Sequence, residues 1–594
     1  MQYDACARLV AVILAAFASS AAAAADPTDA IFDPSRVVDV RITMEPDGWD
    51  RLRAQERTLV SVLGGACLAQ PFPHPFTWFP ADVAIDGQAR SNIAVRKKGF
   101  LGSLDTVKPA LKLDLDEFQD NAGVHGVKKL TLNNAKQDPA LVRQCLGYRL
   151  FSDAGLPAPR CNFAHVTVNG TALGVYVNVE EIRKPMLARH FASNQGNLYE
   201  GTVSDFHAVL LNTFEKQTNE STNDGSDLVG VVDALAANDA NLVASLGRVI
   251  DLDRFRTYWA MEGLLGFWDG YSANRNNFYL YHDPTSGKFH FLPWGTDGIL
   301  QDGSPIAAID PNANPAMFAY SAITRRLVDQ TGAGADYAAR MNVLLATVWN
   351  EATIHAEIDR MQALLAPYAG DLTAELDALR AFVNGRRATV TQALPAPATF
   401  PPLSILDYCL AEIGTMSGAF AATWGTNGSA PFTTGRSMLR GAVTGVAPFA
   451  AVNGAADAGL STADPNRYRG FLTLYSDFGD GRGARLDAIV DSTQLVPGAR
   501  LAIDGQQVKA SVLFTEGLVL LDNGSIKLTH ASTATNGRLC GTFDAKAYTF
   551  TGRYLVGGPT PTAPAAATAP FATSLGPRAG IGDVMRECRP GSED

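Results

Sequence analysis

Two features of the chain constrain its fold most. One is a change of hydrophobic periodicity near Pro185, and the other is a proline-rich break, ALPAPATFPPL, from Ala393 to Leu403. Before Pro185 the apolar residues alternate with period two in short runs bounded by turn residues, the pattern of half-buried strands. Between Pro185 and the break most of them recur at helical spacing. After the break, short alternating runs return in a background rich in Gly, Thr and Ser. This order predicts an α+β chain: a β-rich N-terminal lobe, a helical C-terminal lobe and a small all-β module. The corresponding limits are 26–392 for the two lobes, 393–403 for a linker, 404–556 for the module and 557–594 for a low-complexity Pro/Thr/Ala tail. A cut after about Pro395 is expected to leave a folded unit.

Composition removes several other classes. Of 594 residues, 46% are hydrophobic and 18% charged, which is globular and excludes a fibre or a disordered scaffold. Lys+Arg 49 against Asp+Glu 60 gives a net charge of −11, so no nucleic-acid partner is expected. Leu9 to Ala25 reads LVAVILAAFASSAAAAA and is followed by Asp26-Pro27, the pattern of a signal peptide over residues 1–25. The mature protein is therefore expected to be secreted, periplasmic or at the cell surface. No later run reaches the roughly 18 apolar residues of a membrane span. Cleavage removes Cys6 and leaves Cys67, Cys145, Cys161, Cys409, Cys540 and Cys588 in a compartment that permits disulfides. Cys409 and Cys540 bracket one C-terminal segment and are expected to pair. Cys161 and His165 lack the second ligand pair of a zinc site.

Strands are expected at Val37 to Ile42, Phe76 to Ile85, Asn92 to Lys98, Lys108 to Asp114, Lys129 to Leu132, Phe163 to Val168 and Gly174 to Val179. Asn169-Gly170 supplies a hairpin turn, and a helix is expected from Pro139 to Asp153. Helices follow at Leu228 to Ala237, Asp239 to Val249 and Asp253 to Phe267, the last capped by Asp251 or Asp253. The chain has no GxSxG, HExxH or GxxxxGK[ST] motif. A literal DFG at Asp477 to Gly479 lies in the Gly-rich module, far from any candidate catalytic loop, and reads as a turn.

The segment WDGYSANRNNFYLYHDPTSGKFHFLPWGTD, Trp268 to Asp297, concentrates the polar chemistry. A turn-rich loop leaves an apolar helix, enters a tight hairpin and ends in a second acidic turn. The hairpin can bring Asp269 and Asp297 together, with Asn276 and Asn277 entering its first strand. One aspartate to accept a hydroxyl proton, with an asparagine and a second aspartate on Mg²⁺, is a set that phosphoryl transfer requires. Asn274 also stands at the D-x-x-x-x-N spacing from Asp269. The structural reading of the same residues is that Asp269 caps a turn and the asparagines open a hairpin.

This segment resembles the CotH kinase family, atypical secreted kinase-like proteins. The resemblance extends to VRKKGFLGS, KPALKLDLDEF, the run from LTLNNAKQDP to YVNVEEI, GNLYEG and FLPWGTD, in order over roughly Val37 to Asn384. It implies a catalytic role for Asp269 and a metal-binding role for Asp297, with Asn276 or Asn277 adding an amide oxygen. Many family members carry PWDxD where this chain has Gly295, which leaves Asp297 as the sole acid of its turn. Kinase logic places a phosphate-binding lysine on the strand after a glycine turn. Lys112 after Gly99 and Gly102 fits, with Lys97, Lys98 and Lys108 as rivals. Lys112 could instead share a solvated strand face with Asp114 and Asp116. The acidic partner of the lysine would be Glu180 or Glu181, since Arg143 occupies the helix position where a kinase places its glutamate. The implied activity is transfer of the ATP γ-phosphoryl, with Mg²⁺ or Mn²⁺, to a hydroxyl of an extracytoplasmic protein or a cell-surface polymer. The alternative is a non-catalytic surface or matrix protein that uses the same fold for binding.

Overall fold

A computed structural model describes residues 26–556, apart from 66, 121–122, 223–224, 304, 309, 395–399, 401–402, 426–434, 445, 461–469, 506, 515–516 and 553. The expected signal peptide with Cys6, most of the proline-rich stretch, and the tail with Cys588 lie outside the described residues.

The N-terminal alternating runs form β1 (Val37–Thr43), β2 (Phe79–Ile85), β3 (Gln88–Lys98), β4 (Ala110–Asp114), β5 (Lys129–Asn133), β6 (Cys161–Val168) and β7 (Thr171–Val179). They close into a barrel in the order β1-β2-β3-β4-β5-β7-β6. Every neighbouring pair is antiparallel except β1 with β6, whose parallel pairing closes the ring. Closure removes both free sheet edges, and alternate residues such as Val38, Val40, Ile42, Leu111 and Leu113 fill the interior. Asn169 (φ 50°) and Gly170 (φ 81°) make the left-handed turn between β6 and β7.

A second sheet has the order β11-β10-β8-β9, built from β8 (Asn197–Gly201), β9 (Glu215–Lys216), β10 (Phe278–Asp283) and β11 (Lys288–Pro293). One apolar core joins it to the helices Arg143–Asp153, Ser226–Leu235, Asp239–Val249, Leu252–Leu265 and those between Ala322 and Ala393. The helices keep within a few residues of expectation, with Ser226–Leu235 two residues earlier than Leu228 to Ala237, and two of the shifted limits have a local cause. The first helix begins at Arg143, not Pro139, because the buried Asp138 carboxylate accepts from the amides of Ala140 and Arg143 and pairs with the Arg143 guanidinium at 2.8 Å. Asp138 thereby holds residues 138–142 as a turn. The helix Leu252–Leu265 is capped by Asp251 and stops at Gly266, which is left-handed (φ 65°), two residues short of Phe267's expected end.

Beyond Leu403 the described residues form strands, ten of them in a single sheet and two short ones paired separately. The DFG residues make the turn between strands Gly470–Asp477 and Gly483–Val490, with the Gly479 amide donating to Asp477 at 2.8 Å. Between described residues the disulfides are Cys67–Cys409 and Cys145–Cys161, and Cys540 is bonded in a disulfide of its own, so the expected Cys409–Cys540 pair is wrong. The strand register explains why. Leu410 faces Phe550 while Ala421 faces Cys540, which puts the two cysteines at opposite ends of a ladder more than about 30 Å long. The real partner of Cys409 lies in the N-terminal part, so a cut after Pro395 would orphan Cys67. No helix among the described residues is long and apolar enough to cross a membrane.

Candidate functional site

The site forms where the hairpin β10–β11 ends. Phe278 pairs with Pro293, and the Trp294 amide donates to the Asn277 carbonyl at 3.2 Å, so the asparagine entry and the PWGTD exit are held side by side. Asp269 reaches the same point from the loop after helix Leu252–Leu265. Its carboxylate accepts from Asn274 at 2.6 Å, Asn277 at 2.7 Å and Asn276 at 3.2 and 3.3 Å. All three candidate asparagines therefore converge on Asp269, and each keeps a side-chain carbonyl oxygen to offer. Burial nevertheless raises the Asp269 carboxyl above its ordinary range, with the three amides opposing.

Asp297 sits in a 3₁₀ turn, Thr296–Gly298, opened by Gly295. Burial, reinforced by the charges of Asp138 and Asp269, pushes its carboxyl up to about 7, and Lys98 opposes this. The two expected acids are thus close enough to feel each other. Gly295 is left-handed (φ 53°), and a Cβ there would lie 2.7 Å from the Asn277 side chain. The residue at which this chain departs from PWDxD is the one that lets Asn277 come in over the turn.

Among the lysines, neighbouring positions on β3 split. Lys97 is buried and donates to the Arg53 carbonyl at 2.7 Å. Lys98 points the other way, donating to Asn133, and lies 5.7 Å from the Trp294 ring. Burial, with Lys112 nearby, lowers the Lys98 ammonium to about 8, while Glu200, Asp297 and Glu181 counteract this. Lys108 lies over the Tyr176 ring at 5.1 Å. Lys112 pairs with Glu181 at 3.4 Å. Burial alone would push Glu181 up, but Lys112, Arg183 and the Thr131 hydroxyl hold it at about 2. Glu180 does not join them: it faces Arg160 at 2.8 Å and Arg189, on the other side of the chain. Asp114 is buried against Lys129, so Lys112 and Asp114 do not share a solvated face. Gly99 precedes the turn Leu101–Ser103 and Gly102 is its central residue, and the leading residue Phe100 packs toward the C-terminal strands.

Three supports were not foreseen. Glu262, fully buried on helix Leu252–Leu265, accepts from the amides of Tyr271 at 2.7 Å and Ser272 at 2.8 Å and so shapes the loop that presents Asp269. Burial pushes its carboxyl up to about 7. Gly270 is needed there, since a Cβ would fall 2.1 Å from the Glu262 carboxylate. Its signal was legible as a lone acid in the apolar run TYWAMEGLLGF. Asp205 is the second support: it accepts from the Tyr271 hydroxyl at 3.0 Å and the Ala322 amide at 2.9 Å. The third is a polar chain. Lys98 donates to Asn133, Asn133 to Gln144 at 3.0 Å and Gln144 to the Tyr148 hydroxyl at 3.3 Å, which also accepts from the Gly295 amide at 3.0 Å. It ties the barrel to the acidic turn, and only the tertiary structure reveals it.

An α+β chain in which two half-buried acids and three carboxamides meet at the ends of one hairpin carries a donor set of hard oxygens, suited to a small divalent cation and to proton transfer. Residues 95–389 match the family described as CotH kinase protein, and through this segment the chain belongs to that family. It is 25% identical over 186 residues to the inner spore coat protein H of Bacillus subtilis, covering 29% of this chain and 50% of that protein. It is also 25% identical over 199 residues to the invasin CotH3 of Rhizopus delemar, covering 31% of this chain and 33% of that one. The chain thus spans half or less of these curated relatives. The crystal structure of a Helicobacter pylori proinflammatory kinase, CtkA, aligns with 12% identity and a TM-score of 0.26 over 48% of this chain and 94% of that one.

Proposed function

We propose that this chain is an exported, two-lobed kinase-like phosphotransferase that uses ATP with Mg²⁺ or Mn²⁺ and acts on a hydroxyl of an extracytoplasmic protein or surface polymer. Membership of the CotH kinase family and the convergence of Asp269, Asn277 and Asp297 at one hairpin end support this reading. The surface location is supported by the spore-coat and invasin names of the relatives and by the disulfides between described residues, which belong in an oxidising compartment.

In this reading Asp269 accepts the proton of the acceptor hydroxyl as its oxygen attacks the γ-phosphorus and the bond to ADP breaks. The three asparagine amides fix the direction of its carboxylate, and burial keeps it basic enough to take the proton. Asp297 and the Asn277 side-chain oxygen would hold the divalent cation, which supplies charge neutralisation to the phosphates when bound. Lys112, set by Glu181, and Lys98, nearer Asp297, offer two cations to the triphosphate. A second reading, a binding protein without turnover, is favoured by one observation: the left-handed Gly295 leaves a single carboxylate in the acidic turn. Incubation of the purified protein with labelled ATP and Mg²⁺ or Mn²⁺ separates the two. Label transfer to the protein or an acceptor is expected, and ATP–Mg²⁺ binding without transfer under any condition selects the second reading.

A further inference from the structure

The Cys67–Cys409 disulfide joins residues 342 positions apart, one in the N-terminal part and one at the entrance to the C-terminal strands. Around it, Val62, Leu63 and Phe72 form a small core with Leu410 and Tyr548, against which Phe100, Val203 and Tyr408 pack. Phe72 is the hub of this core. Its ring lies 5.3 Å from Phe100 and 5.9 Å from Tyr408. Phe100 is the residue whose carbonyl accepts from the Ser103 amide at 3.1 Å to close the glycine turn. Tyr408 donates its hydroxyl to the Val203 carbonyl at 3.3 Å. The next residue, Ser204, donates its amide to the Arg275 carbonyl at 2.8 Å, inside the asparagine loop. Arg275 is also near enough to act electrostatically on the Tyr408 hydroxyl. A single clasp therefore touches both the glycine turn and, through one intervening strand exit, the loop that carries Asn274, Asn276 and Asn277.

We propose that Tyr408 and the Cys67–Cys409 disulfide are positioning residues. Through them the C-terminal β module sets the spacing between the Gly99–Ser103 turn and the Arg275–Asn277 loop. Two further contacts hold the module in place: Lys509 pairs with Glu56 at 3.3 Å, and the Thr58 hydroxyl donates to Asp522 at 3.4 Å. The module is on this account part of the catalytic unit rather than an appendage joined by a linker. A role of the Gly99–Ser103 turn toward nucleotide and of the Arg275–Asn277 loop toward metal rests on the kinase reading, but the mechanical coupling does not.

The test is amide hydrogen exchange on the full chain without nucleotide, read at Ser103 and Ser204. In the Cys67→Ser/Cys409→Ser double variant both amides are expected to exchange at least tenfold faster than in the parent. In Tyr408→Phe, which keeps the ring and the disulfide, only Ser204 should accelerate. If the double variant does not fold, Tyr408→Phe alone decides, and an unchanged Ser204 rate in it overturns the proposal. Acceleration confined to residues adjoining 67 and 409 overturns it as well. Where the parent binds ATP–Mg²⁺, the double variant should bind about tenfold more weakly, and equal affinity refutes the positioning role. A parent that binds no ATP–Mg²⁺ removes the kinase reading and leaves the exchange result standing.

Discussion

The side-chain amide of Asn277 donates to the Asp269 carboxylate at 2.7 Å, from a backbone held in the left-handed region at φ 50°. With Asn274 and Asn276 it surrounds the carboxylate with donors, so the group is oriented before any acceptor arrives. Asp269→Asn keeps the size and removes the proton affinity. Turnover is expected to fall about 10²–10⁴-fold, and ATP–Mg²⁺ affinity by less than about threefold, roughly 0.6 kcal/mol. Rate and titration calorimetry measured on the same preparation check this. A variant that melts early yet keeps its specific activity when folded would make Asp269 a hub for the amides only.

Asp297 sets a pH dependence whose sign is determined. Its folded carboxyl titrates at about 7 against an ordinary value of 3.8, so the protonated form is favoured by folding. That contribution is complete below about pH 3.8 and is lost as pH rises through about 7. Asp297→Asn should therefore be more stable than the parent at pH 8, by about 2 kcal/mol, within the ceiling of roughly 4 kcal/mol that such a displacement allows. The same variant should lose metal-dependent nucleotide binding. In the parent, Mg²⁺-dependent binding should strengthen between pH 6 and 8 as the carboxyl gives up its proton. Denaturant melts and calorimetry at both pH values decide, and a pH-independent affinity would remove Asp297 from the metal site.

Glu262 is predicted to be structural for the catalytic loop. Glu262→Ala leaves the Tyr271 and Ser272 amides buried without an acceptor, at a cost of about 2–5 kcal/mol. Glu262→Gln keeps an acceptor for one of them and should recover at least half of that stability. Equal denaturation midpoints for Ala and Gln would show that the carboxylate does not hold the loop.

Gly295→Ala probes the departure from the family pattern. A Cβ in a left-handed backbone costs about 1–2 kcal/mol, and here it would also strike Asn277. We expect the variant to bind Mg²⁺–nucleotide at least tenfold more weakly while melting only a few degrees lower. Unchanged affinity would mean that the Asn277 amide can move aside without loss, and would favour Asn274 or Asn276 as the metal-side carboxamide.

Local patterning of the chain was enough to place the strands β1 to β7, the hairpin β10–β11 and the polar segment between Trp268 and Asp297, because alternation, turn residues and capping act between near neighbours. The motif order also pointed to Asp269 and Asp297 and to the pairing of a strand lysine with Glu180 or Glu181. Four features were beyond its reach: the parallel pairing that closes the barrel, the Cys67–Cys409 link, the separation of Glu180 from Glu181, and the rise of Lys98 beside Lys112. Each depends on which side chains meet across the molecule. The facing of a single residue at a strand end reverses with one step along the chain, and a cysteine finds its partner by distance in space. Periodicity records which face of an element is buried, and tertiary packing alone decides what lies against that face.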